Sequence, residues 1–152
     1  MYKDQKVLVA GGTGTIGIPL VKQLVSQGAD VTVASMDTPE LASRLLGPEV
    51  KFVKKDLTLL ENCLEMTKGQ EHVFNLVGIK GSTGIGEKKV ASYFVPMLWF
   101  QTNLMEASFR NGVKRFLFTG SICSYPQGSE PKTEDTMWDG MPKQNDRIPG
   151  IA

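Results

Sequence analysis

Short apolar runs alternate along this chain with stretches whose apolar positions recur every three or four residues, the mark of strands separated by amphipathic helices. Val7-Leu8-Val9-Ala10 opens the series, and Ile18, Leu20, Val21, Leu24 and Val25 follow at helical spacing until Gly28. Val31-Thr32-Val33-Ala34, a helix over about 38 to 46, Val50-Lys51-Phe52-Val53 and a helix over about 58 to 67 complete a βαβαβ succession. Then come His72-Val73-Phe74-Asn75-Leu76-Val77, a loop over 78 to 90 rich in glycine and lysine, a helix over about 91 to 111, and Arg115-Phe116-Leu117-Phe118-Thr119. Five strands separated by helices predict an α/β fold with a doubly wound parallel sheet, because right-handed crossovers place helices on both faces. From Gly120 the pattern fades among Pro126, Pro131, Pro142 and Pro149. The expected organisation is therefore a domain over 1–120 and an irregular extension over 121–152, with Trp138 an anchor for packing or for a partner.

The turn after the first strand carries the strongest chemical signal. Gly11-Gly12-Thr13-Gly14-Thr15-Ile16-Gly17 satisfies both GxGxxG and GxxGxxG between a strand and a helix, the setting a dinucleotide-binding turn requires. Glycines there permit the sharp turn, let a pyrophosphate approach without a Cβ in the way, and let helix and strand pack closely. The N–H groups around Thr15, Ile16 and Gly17 then face the phosphates, and the hydroxyls of Thr13 and Thr15 donate to phosphate or cap the helix. Rossmann topology predicts the strand order 3-2-1-4-5, with the ligand at the carboxyl end of strand 1.

Composition narrows the function classes. A chain of 152 residues with net charge +1 and 22% charged residues has room for one core and shows no basic footprint for nucleic acid. Cys63 and Cys123 are two in number and distant in sequence, which fits neither a disulfide framework nor zinc-ligand spacing. A reducing compartment is the simplest reading. The polar start Met1-Tyr2-Lys3-Asp4-Gln5-Lys6 and the lack of a long apolar run give no signal peptide or membrane span, so a cytoplasmic protein without a bound metal is expected.

Other candidates lie at strand ends. Asp56-Leu57 follows the third strand, where a carboxylate accepts from an adenine amino group and the next residue packs on the base; alternatively Asp56 caps the following helix. Ribose recognition is expected where strand 2 closes, at Ser35-Met36 with Asp37 just beyond. Ser35 removes a repulsion against a 2′-phosphate, whereas Asp37 binds a 2′-hydroxyl if the loop turns back. The cofactor is thus NAD or NADP, with NADP slightly favoured. The apolar stripe Tyr93, Phe94, Met97, Leu98, Gln101, Leu104, Met105 and Ser108 is either the sheet-facing side of a core helix or a dimer surface. His72 reads as a strand-start residue on the surface.

The glycine turn, Asp56-Leu57, Val73-Phe74-Asn75-Leu76-Val77-Gly78, Asn103-Leu104-Met105-Glu106-Ala107 and Gly112-Val113-Lys114-Arg115-Phe116-Leu117-Phe118-Thr119-Gly120-Ser121 with Tyr125-Pro126 together resemble the extended short-chain dehydrogenase/reductases. This is the family of nucleotide-sugar epimerases, dehydratases and reductases. Ser121-x-Cys123-x-Tyr125-Pro126 is most similar to the GDP-L-fucose synthases within it, which implies active-site service for Ser121 and Cys123; the alternative for Cys123 is a small buried thiol. The resemblance also implies that Leu76, Val77 and Gly78 lie beside the cofactor. A hydride then passes between nicotinamide and a sugar carbon, with a tyrosine as acid/base and a lysine four residues on lowering its pKa.

That pair is expected near 146–150, where the chain reads Asp146-Arg147-Ile148-Pro149-Gly150. Two expectations follow: the sequence is the first part of a longer enzyme, or it is a non-catalytic dinucleotide-binding sensor or interaction module. In the first case strand 5 is an exposed edge, and a homo-oligomer is expected.

Overall fold

The computed structural model describes residues 2–79, 90–128 and 131–142. In chain order the elements are β1 (Lys6–Ala10), α1 (Gly17–Ser26), β2 (Asp30–Ser35), α2 (Pro39–Leu46), β3 (Lys51–Lys54), α3 (Leu60–Thr67), β4 (His72–Asn75), α4 (Val90–Arg110) and β5 (Arg115–Phe118). The strands form one sheet in the order β3-β2-β1-β4-β5, with every neighbouring pair parallel. The expected Rossmann order and the alternation of strand and helix are both present. β4 ends two residues earlier than its apolar run suggests, because the Asn75 side chain accepts the Val77 N–H at 3.2 Å and turns the chain. The loop expected over 78 to 90 falls mostly outside the described residues.

The chain divides into two compact units interleaved in sequence: Met1–Gly78 with Trp99–Phe118, and Ile79–Leu98 with Thr119–Ala152. The first holds the sheet. Val7, Leu8, Val9 and Ala10 of its central strand are fully buried, so both faces of the sheet are covered there. Val7 and Val9 join Val21, Leu24, Val31, Val33, Ala42 and Leu46 in a core beneath α1 and α2. On the opposite face, Ala10 is in register with Asn75, whose Nδ2 donates to Gln101 Oε1 of α4 at 2.6 Å. α3 is fastened on that side to the residue that follows α4, since Asn111 Nδ2 reaches both Leu64 O and Thr67 Oγ1 at 2.8 Å.

The amino ends of three strands are tied by one residue. Glu71 accepts from Lys6 N at 3.1 Å and from Lys114 Nζ at 2.6 Å through its two carboxylate oxygens, while its carbonyl accepts from Lys114 N at 2.9 Å. His72 does start β4, but it is buried rather than on the surface. Tyr2 covers it edge-on at 5.3 Å, and Gln5 Oε1 lies 2.7 Å from its Nε2.

β5 is an edge strand, paired among the described residues with β4 alone, and it leaves Leu117 46% and Phe118 45% exposed. In the part of α4 that belongs to the sheet unit, Phe100, Leu104, Ala107 and Ser108 are buried while Trp99, Met105 and Phe109 face outward. The core-helix reading therefore holds for Leu104 and Ser108 and does not hold for Met105. The second unit contains two short 3-10 turns, Ile122–Ser124 and Glu134–Thr136, and an isolated antiparallel bridge between Pro126 and Pro142. Trp138 is 89% exposed, so it is no packing anchor among the described residues.

Candidate functional site

The turn from β1 to α1 is shaped by three close approaches. Gly11 adopts φ +79°, and a Cβ there would meet the Leu76 carbonyl oxygen at 2.8 Å. A Cβ on Gly12 would meet both Val33 methyl groups at 2.8 Å, and one on Gly17 would meet Gly11 O and the Gly12 backbone at 2.6 Å. These glycines are fixed by the packing of the turn itself. Gly14 and Gly78 are different. A Cβ on Gly14 meets only Gly11 O, at 3.3 Å, and one on Gly78 meets nothing within 4 Å. Gly78 thus faces open space past the carboxyl end of β4, while Gly14 is held close to the turn, less tightly than Gly11, Gly12 and Gly17.

α1 starts without help from its neighbours. Ile16 at the N-cap supplies no side-chain hydrogen bond, no acidic residue stands in the first turn, and the first carbonyl engaged is Gly14 O, by Ile18 N at 3.0 Å. Among the described residues no carbonyl accepts from the N–H groups of Thr15, Ile16 or Gly17. A bare helix start carries roughly half a positive elementary charge and several unused donors, which is the chemistry a phosphate needs. Cradle and donor set together fit a pyrophosphate.

The end of β2 bends back onto this turn. Thr13 Oγ1 lies 2.5 Å from Asp37 Oδ2 and 3.0 Å from Ser35 Oγ. Ser35 Oγ accepts the Asp37 N–H at 2.9 Å and stands 3.2 Å from Asp37 Oδ2. A carboxylate only accepts, so the Thr13 hydroxyl donates to Asp37. The reading of Thr13 as a phosphate donor or helix cap missed this bond, because the pairing spans 24 residues and depends on the return of the β2 loop.

Asp56 organises the approach to α3. Its Oδ1 accepts from Thr58 N at 2.9 Å and Thr58 Oγ1 at 2.7 Å, and its carbonyl accepts from Asn62 Nδ2 at 2.8 Å. All the carboxylate bonds fall on one oxygen. Leu57 is buried, and its carbonyl accepts from the Cys63 thiol at 3.2 Å. Burial pushes that thiol up to about 12, with the nearby charges of Asp56 and Glu61 adding to the effect. Leu76 and Val77 are half-buried and Gly78 is exposed. Leu76 N donates to Ala10 O at 2.9 Å, which holds the segment beside Gly11.

Ser121 and Cys123 belong to the second unit, following β5 in sequence. Ser121 Oγ accepts the Cys123 N–H at 3.1 Å and caps the Ile122–Ser124 turn. Cys123 is half-buried, in contrast to the fully buried Cys63. Positions 146–150 lie outside the described residues. Tyr2 and Lys6 stand four residues apart, but they sit at the amino end of β1, with the glycine turn at its carboxyl end roughly 17 Å away. They are no acid/base pair for that turn. Among the described residues no helix is long and apolar enough to cross a membrane, and no group of three His, Cys, Asp or Glu is placed to hold a metal.

A parallel sheet in this order, with a glycine cradle at the carboxyl end of its first strand, defines a dinucleotide-binding α/β protein. Residues 7–145 match the NAD dependent epimerase/dehydratase family, and the chain belongs to it. It is 31% identical over 146 residues to GDP-mannose 3,5-epimerase 1 of Oryza sativa subsp. japonica, covering 91% of this chain and 38% of the relative. To GDP-L-fucose synthase of Sinorhizobium fredii it is 27% identical over 143 residues, covering 92% and 40%. The chain thus spans about two fifths of the length of these curated relatives. Among solved structures, UDP-N-acetylglucosamine 4-epimerase from Methanobrevibacter ruminantium superposes with a TM-score of 0.81 at 21% identity, covering 98% of this chain and 48% of that one. GDP-mannoheptose C4 reductase from Campylobacter jejuni, with NADP bound, gives 0.78 at 23% identity, covering 99% and 41%.

Proposed function

We propose that this chain forms the NAD(P)-holding part of an oxidoreductase or epimerase that acts on a nucleotide-activated sugar by hydride transfer. The observation that carries the reading is a glycine turn too tight for side chains at Gly11, Gly12 and Gly17, set beside a helix start whose Thr15, Ile16 and Gly17 N–H groups bond no carbonyl among the described residues. Gly11, Gly14, Thr15, Ile16 and Gly17 would hold the pyrophosphate, Ser35 and Asp37 the adenosine ribose, Asp56 and Leu57 the adenine, and Leu76, Val77 and Gly78 the nicotinamide side. A bound nicotinamide supplies the hydride acceptor. Ser121 would hydrogen-bond the reacting sugar oxygen and Cys123 would stand by as a second proton donor. Ser35 is uncharged and tolerates a 2′-phosphate, which supports NADP; Asp37 supports NAD.

The sugar is proposed to be linked to GDP or UDP, as the names of the relatives suggest. Turnover is proposed to need a tyrosine and lysine that positions 146–150 do not carry. That departure is also what supports a second reading, a dinucleotide-binding sensor or interaction module without turnover. The exposed Leu117 and Phe118 on the β5 edge favour association between copies, and two unpaired thiols favour a cytoplasmic setting.

Calorimetric titration with NAD+ and NADP+ tests the cofactor reading. Saturable binding to the chain, weakened about tenfold or more by Gly14→Leu, is expected. No heat with either dinucleotide would refute both readings. Hydride transfer to a bound dinucleotide on adding a GDP- or UDP-sugar separates the enzyme from the sensor.

A further inference from the structure

We propose that two copies of this chain associate by exchanging a knob: Trp138 of one copy seats in a groove over β4 and β5 of the other, where Asp139 meets Arg115. The proposal rests on the association between copies put forward above, gives it two surfaces, and stands apart from the cofactor reading. The groove lies on the sheet face that carries Val7 and Val9. Val7 is in register with His72 and Val9 with Phe74, and these in turn with Arg115 and Leu117. Val21, Leu24, Ala42 and Leu46 of α1 and α2 cover the Val7 and Val9 end of that row, whereas Leu117 at the other end is exposed. Tyr2, His72, Phe74, Arg115 and Leu117 line a groove of about 570 Å³ there, ample for an indole ring. Tyr2 meets His72 and Phe74 edge-on, with ring centres 5.3 and 6.3 Å apart, so the wall of the groove is aromatic. Arg115 adds a cation: it is exposed and makes no ion pair among the described residues, unlike Lys114, which Glu71 neutralises at 2.6 Å.

The knob has the complementary character. Trp138 is more exposed than any other large hydrophobic residue among those described, and it follows the short turn Glu134–Thr136. Glu134, Asp135 and Asp139 flank it, all exposed and none ion-paired among the described residues. An indole between carboxylates matches an apolar groove with an unpaired guanidinium, and that guanidinium also stacks favourably on the indole face. Tryptophan seated in a dry pocket is the commonest kind of energetic anchor at an interface. Knob and groove are carried by the same chain, which makes a second copy the occupant, and a reciprocal exchange fills both grooves and closes the pair.

The test is sedimentation of the full chain over a range of concentrations. The wild type should associate reversibly, and Trp138→Ala and Leu117→Asp should each weaken the association about tenfold or more. Mixing those two variants should recover association, because the first keeps the groove and the second keeps the knob; should Leu117→Asp not fold, Arg115→Glu takes its place. Adding Asp139→Arg to Arg115→Glu should restore much of what the single change loses. Trp99 and Trp138 are the two tryptophans of the chain, so a Trp99→Phe variant reports Trp138 alone, and its emission should move to the blue as concentration rises. Undiminished association in Trp138→Ala, with loss in Phe109→Asp instead, puts the contact on α4; it overturns the proposal and leaves association between copies standing. A mixture that stays monomeric overturns it too, as does a blue shift already complete at the lowest concentration, the mark of a knob seated in its own chain. A wild type still monomeric at about 200 μM removes the association reading as well.

Discussion

A Cβ on Gly17 would lie 2.6 Å from the carbonyl oxygen of Gly11, closer than any real carbon approaches, whereas one on Gly14 would meet that same oxygen at 3.3 Å. Two glycines of one motif therefore answer to different demands. Gly17→Ala should cost about 2 kcal/mol through forced displacement of the turn, and Gly14→Ala less than about 1 kcal/mol. Urea midpoints measure the difference, and equal losses at the two positions would contradict it.

Asn75 is buried and joins three parts of the sheet unit through its Gln101 and Val77 bonds. Asn75→Ala leaves the half-buried Gln101 side-chain amide oxygen and the Val77 N–H without that partner, at a cost of about 1 to 2 kcal/mol. A thermal midpoint within a degree of wild type would show that the amide does not fasten α4 to β4.

Stability should fall in two stages on acidification. Burial, with Arg115 adding to it, holds His72 below its ordinary 6.5, so the unfolded chain binds the proton first and stability declines as pH drops below 6.5. The Lys114 ammonium and then the Lys6 N–H hold Glu71 below 4.5, so its contribution is present above 4.5 and is lost as pH falls further. Urea unfolding from pH 7.5 to 3.5 follows both stages. His72→Gln should flatten the upper stage alone, and a variant that keeps both stages would assign the upper one elsewhere.

The two cysteines should differ in reactivity. Cys63 is fully buried, hydrogen-bonded to Leu57 O and held as a thiol by a pKa near 12, while Cys123 is half-buried. A disulfide reagent at pH 8 should label Cys123 in the native chain and both residues in denaturant. Rapid native labelling of Cys63 would mean that α3 opens readily.

Strand order, helix positions and the glycine turn were legible because period and glycine spacing are local properties of the chain. What was not legible depends on distant partners. His72 looks like a surface strand start until Tyr2 and Gln5 fold over it, and β4 looks longer than it is until Asn75 takes the Val77 N–H. Thr13 carries two ordinary local readings, and neither anticipates a carboxylate brought back from beyond β2. Cys123 had two readings as well, and its half-exposure separates it from Cys63 without deciding its role.

The knot of bonds at Glu71 gives the sheet one anchored rim. Lys6, Lys114 and the starts of β1, β4 and β5 are moored to that single carboxylate and its backbone, while the opposite rim carries Gly14, Gly78 and an undecorated helix start. Heritable change can accordingly be partitioned: substitutions at the moored rim are visible to heat and acid, and those at the open rim to ligands, so either property can drift with little toll on the other.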